Sequence, residues 1–74
     1  MRELRADFND FAENGTLPLT CSGSIESIRR LAEPLKEGEE VWLTDGELRV
    51  RAWVHKYSDG SWEARSSWDF QPNV

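Results

Sequence analysis

The chain is poor in the residues that carry most protein chemistry. Its 74 residues include one cysteine, Cys21, and one histidine, His55. A single cysteine excludes an intramolecular disulfide framework, and one cysteine with one histidine cannot close a nitrogen/sulfur zinc site. Neither Asp45-Gly46-Glu47 nor Asp59-Gly60 continues into the oxygen-ligand spacing of a calcium loop, so no metal is expected. Ser22-Gly23-Ser24 matches neither phosphate-binding glycine pattern and reads as ordinary helix capping, so no cofactor is expected. No apolar run approaches the about 20 residues of a membrane span or the shorter core of a signal peptide. With the lone thiol, this sets the expectation of a cytoplasmic protein with no membrane partner.

Positive charge is also short. Nine bases face fourteen acids, a formal charge of −5. Residues 1–40 hold nine acids and five bases, whereas 41–74 hold five and four. Such a chain repels nucleic acid and anionic membrane at long range unless a local basic patch overcomes the field.

Aromatic side chains are present in number: four Trp, three Phe and one Tyr. A chain of this length supports one domain, 1–74, with a small core, and each buried ring would remove about 150–250 Å² from water. A core of few, large side chains is therefore expected.

Two helices are expected. Leu4, Phe8 and Phe11 recur at i, i+4 and i+7, one stripe of an amphipathic helix over about 3–14, which Asn14-Gly15 would end. Ile25, Ile28, Leu31 and Ala32 follow a Ser24 cap at helical spacing, and Pro34 ends a second helix over about 24–33. Between them, Leu17, Leu19 and Cys21 alternate. The 16–21 segment is a possible extra strand, confined by Pro18 to a sheet edge, with Cys21 a small buried thiol.

The stretch from Glu39 to Phe70 organises the rest. Three runs with strand patterning, about 39–44, 47–57 and 61–69, are separated by Asp45-Gly46 and Ser58-Asp59-Gly60, and read as a three-stranded antiparallel meander. A two-residue loop at Asp45-Gly46 would pair Val41 with Val50, Leu43 with Leu48, Trp42 with Arg49 and Glu40 with Arg51. A three-residue loop with Gly60 in a bulge would pair Val54 with Ala64, Ala52 with Ser66 and Val50 with Trp68. One face then gathers Val41, Leu43, Leu48, Val50, Ala52, Val54, Trp62, Ala64 and Trp68 as core. The fold expected is α+β, with both helices packed on that one face of the meander.

The other face carries the candidate site: Trp42, Arg49, Arg51, Trp53, Tyr57 and Arg65, among His55, Glu40, Glu63 and Asp69. Aromatics mixed with arginine mark protein-binding surfaces. Catalysis is not expected, because His55 is placed on this face and Cys21 with the leucines, too far apart for a nucleophile–base pair. The expectation is a small acidic non-enzymatic protein-binding module, an inhibitor, adaptor or accessory subunit, whose partner is another protein or a second copy. The alternative is a single-stranded nucleic-acid-binding module stacking bases on the same rings. The matched charges of the face, three arginines against Glu40, Glu63 and Asp69, argue against nucleic acid.

Overall fold

Alternation dominates the centre of the chain. In Leu48–Lys56, the residues Val50, Ala52 and Val54 are fully buried while Arg51 and Trp53 are exposed. In the computed structural model, which describes residues 1–73, this segment is the central strand of a six-stranded mixed sheet. The elements are β1 (Arg2–Arg5), a single 3-10 turn (Phe8–Asp10), β2 (Thr16–Pro18), α1 (Ser22–Arg29), β3 (Glu40–Thr44), β4 (Leu48–Lys56), β5 (Trp62–Ser66) and β6 (Gln71–Pro72). The strand order is β1-β3-β4-β5-β2, and β6 pairs with β4 below β5. The expected two helices on a three-stranded antiparallel meander are therefore replaced by a mostly β fold with one α-helix among the described residues.

The N-terminal segment accounts for the largest difference. Arg2–Arg5 is a strand paired in parallel with β3, Leu4 lying beside Leu43. The Leu4–Phe8–Phe11 stripe fits a helix, but Asp7 holds an extended backbone and caps the 3-10 turn by accepting from the Asn9 N–H. Parallel pairing leaves no local mark in a sequence, because the partner strand lies far along the chain. Leu4 gains a fully buried site in the sheet.

Both outer edges of the sheet are partly blocked. On β1, the outward backbone groups of Arg5 are taken by α1: Ser24 Oγ donates to the Arg5 carbonyl at 2.7 Å, and the Arg5 N–H donates to Ser27 Oγ at 3.0 Å. On β2, Gly15, Leu17 and Leu19 turn their backbone toward β5, as the bonds from Ser66 N–H to the Gly15 carbonyl and from Leu19 N–H to the Trp62 carbonyl show. The alternate residues point outward. Thr16 satisfies its groups with Asn14 Oδ1 and the Ala12 N–H, and Pro18 has no N–H to offer. The edge position expected for Pro18 is thus observed, and the pairing ladder cannot extend past it.

Helix α1 starts at Ser22, two residues before its expected start, and ends at Arg29, short of Glu33. Cys21 is not a buried partner of the leucines. It is the half-buried N-cap, its Sγ accepting from the Ser24 N–H at 3.4 Å. Burial pushes the thiol up, but its hydrogen-bond contacts with Ser24, side chain first and then backbone, outweigh this and hold it below the ordinary thiol value.

The registers divide in the same way. At the second turn the Tyr57 N–H donates to the Ser61 carbonyl, Gly60 sits at φ +91°, and Val54 pairs with Ala64 and Ala52 with Ser66, as expected. At the first turn the register is displaced by two residues: Val41 faces Ala52 and Leu43 faces Val50. The Asp45 carboxylate accepts from the N–H groups of both Glu47 and Leu48 and opens the turn, while Thr44 Oγ1 accepts from Gly46 and donates to the Leu48 carbonyl. Leu48 is thereby released to pair with Pro72 of β6 and is exposed rather than part of the core. A two-residue displacement preserves which face each side chain occupies, so Val41, Leu43, Val50, Ala52, Val54 and Ala64 of the expected set stay buried, whereas Leu48 and Trp68 are exposed and Trp62 is half-buried.

The core is aliphatic. Leu4, Leu17, Leu19, Leu35, Val41, Leu43, Val50 and Val54 with Ala6, Ala52 and Ala64 are buried, and no aromatic ring is among them. The expected core of large rings is wrong because the inward strand positions are held by valine, leucine and alanine. Rings instead roof the inner face: Phe8, Phe11, Phe70 and Trp62 pack against the core, beside Ile28 and Leu31. Ile25 stays largely exposed.

Candidate functional site

The outer sheet face is built by the outward positions of five strands. Glu3 of β1 lies beside Trp42 of β3, which is opposite Arg51 of β4. Glu40 is opposite Trp53, which is in turn opposite Arg65 of β5, and His55 is opposite Glu63. Trp42 and Trp53 are therefore diagonal neighbours across β3 and β4, with arginines on either side.

Two contacts read from the sequence persist despite the displaced register. The Arg49 guanidinium lies 4.2 Å from the centroid of the Trp42 ring, and Arg51 Nη1 lies 3.6 Å from Glu40 Oε2. Each joins diagonal rather than directly opposed positions, which long side chains span. Stacking on Trp42 shields the Arg49 Nε from water and leaves it without a hydrogen-bond partner. Trp42 itself is half-buried, Arg51 and Arg65 are exposed, and Trp53 and Tyr57 retain 37% and 46% of their surface. Arg49 and Arg65 form no ion pair among the described residues.

The lower end of the face is polar and tied down. The Tyr57 hydroxyl donates to the Glu63 carboxylate, which raises the phenol above its ordinary value. Glu37 accepts from the Lys56 N–H at 2.7 Å and meets His55 Nδ1 at 2.8 Å; these bonds, the backbone one foremost, hold its carboxyl below the usual range. Cys21 and His55 have separate partners, Ser24 and Glu37, and do not meet. Among the described residues no three His, Cys, Asp or Glu side chains are grouped so as to hold a metal ion, and no helix is long and apolar enough to cross a membrane.

All six candidate residues lie on this face, but Asp69, expected beside them, does not belong to it. Strand β5 ends at Ser66, and Ser67–Phe70 leaves the sheet before β6 rejoins β4. Trp68, expected opposite Val50 in the core, stands in that loop at φ +64° with 53% of its surface exposed. It packs on Phe11 (centroids 4.9 Å apart) and Phe70 (5.8 Å), and Phe8 completes the cluster by meeting Phe70 edge-on at 5.3 Å. This second aromatic surface was hidden in the sequence because a strand pattern could be continued through Trp68. The missed signal was the spacing of paired rings, Phe8 with Phe11 and Trp68 with Phe70.

Comparison with family models, with curated proteins and with solved structures found no match.

Proposed function

We propose that this chain is a small non-enzymatic protein-binding module, an inhibitor, adaptor or accessory subunit, that uses the outer sheet face. The observation carrying the reading is that Trp53 and Tyr57 are exposed on a face where the flanking arginines are only partly neutralised. Tryptophan, tyrosine and arginine are the residues most often dominating binding energy; the two rings lose little conformational freedom when desolvated, and the guanidinium adds a flat, multiply donating group. The partial capping of the sheet edges favours binding through the face over strand addition. Three arginines interleaved with Glu40, Glu63 and Glu3 favour a mixed-charge protein surface over a polyanion.

The test compares wild type with Trp53→Ala in affinity capture from the native source, followed by reconstitution of the purified pair. The expected outcome is a complex, or a dimer in size exclusion, that Trp53→Ala weakens while its thermal transition stays intact. Unfolding by Trp53→Ala would show that the ring is structural. Tight binding of a single-stranded oligonucleotide that falls steeply with salt would replace this reading with the nucleic-acid one.

A further inference from the structure

The net charge of the chain is not spread over its surface. The two segments that build the second aromatic cluster, residues 6–15 and 66–73, carry Asp7, Asp10, Glu13 and Asp69 and no base at all. Everywhere else ten acids and nine bases nearly cancel. The four acids are all exposed. Asp69 adjoins Trp68, Asp10 adjoins Phe11, and Glu13 lies two residues before Gly15, on which the Trp68 indole rests.

We propose that this acid-flanked cluster, headed by Trp68, is a docking surface for an arginine- or lysine-rich segment of a partner protein. Phe8, Phe11 and Phe70 pack against the core on the inner side, so the surface is separate from the outer face and the inference does not rest on the function proposed above. The half-exposed indole offers a cation the most favourable of the aromatic faces, and the acids attract positive charge from a distance. A neutral apolar partner would have to desolvate those carboxylates without return, and a polyanion would be repelled. The indole is already packed on Phe11 and Phe70, and the Trp68 backbone N–H donates to Ser66 Oγ at 2.8 Å, so little ordering remains for a ligand to impose.

The test uses the full chain labelled with fluorotryptophan, whose four fluorine resonances are followed while a hexa-arginine peptide is added at low salt. The Trp68 resonance is assigned by its loss in Trp68→Phe. The expected result is a saturable shift confined to Trp68, suppressed by salt. A Glu13→Gln/Asp69→Asn double variant, which keeps every ring, should bind about five- to tenfold more weakly, corresponding to the loss of about 1–1.4 kcal/mol, with its amide spectrum unchanged. The proposal is overturned by the absence of binding, by shifts at Trp42 or Trp53 in place of Trp68, or by undiminished affinity in a folded charge variant. A dimer of the free chain that Trp68→Phe dissolves would equally overturn it, by making a second copy the occupant.

Discussion

Gly15 lies directly beneath the indole of Trp68: a Cβ built on Gly15 would come 2.8 Å from Trp68 Nε1 and 3.3 Å from Cε2. Both residues adopt left-handed backbone conformations, at φ +84° and +64°. Glycine does so freely, whereas tryptophan is strained there and needs surrounding contacts to hold it.

The pair yields a coupled prediction. Gly15→Ala should destabilise the fold by about 2–4 kcal/mol, the left-handed conformation and the collision with the ring both contributing. In a Trp68→Ala background the collision disappears, and the same substitution should cost only the backbone part, about 1–2 kcal/mol. Chemical denaturation of the four proteins in this cycle measures the difference; equal costs in both backgrounds would show that the ring does not press on Gly15.

A second prediction concerns the capped edge of β1. Ser24 is buried, and Ser24→Ala would strand the Arg5 carbonyl without its donor, costing about 1–3 kcal/mol. Ser27→Ala, at a half-buried position, should cost less but should speed hydrogen exchange of the Arg5 amide selectively. An Arg5 amide as protected as in wild type would mean that the helix does not seal this edge.

A third prediction follows from the Arg2–Glu39 pair, which fastens β1 to the chain before β3. Arg2 Nη2 meets Glu39 Oε1 at 2.7 Å and Arg2 Nε donates to Oε2 at 2.9 Å, while the Lys36 N–H also donates to Oε1. The Arg2 bonds, aided by Lys36 and opposed by partial burial, hold the Glu39 carboxyl below its ordinary value. A depressed carboxyl contributes stability that is fully present above the unfolded value, about 4.3, and is lost as pH falls through the folded value. Thermal melting followed downward from neutral pH should therefore decline less steeply below about pH 4.3 in Glu39→Gln than in wild type. Parallel profiles would remove Glu39 as a source of acid sensitivity.

Much of the sheet was legible from residues alone, and the reason is local. Alternation over 48–56 fixes one inward face whatever the register, because a displacement by two residues returns every side chain to the same side. The Ser58-Asp59-Gly60 turn fixes the β4–β5 pairing, since Gly60 supplies the left-handed residue that a three-residue loop requires. Pro18 marks an edge because it lacks an N–H. The six residues of the outer face inherit their common side from that alternation, so their shared face was readable before their contacts were.

Tertiary structure decided the remainder. Whether Leu4 belongs to a helix or a strand depended on β3, almost forty residues away, which offers a parallel edge that no local spacing announces. The first turn opened because Asp45 captures two backbone N–H groups and β6 claims Leu48. The indole of Trp68, equally at home in a core by composition, was placed outside by the departure of Ser67–Phe70 from the sheet and by the space that Gly15 leaves beneath it. The amino-acid sequence by itself determined which side chains share a face, because that property repeats every two residues. Only the folded chain determined which faces are covered, because covering depends on segments brought together from opposite ends of the sequence.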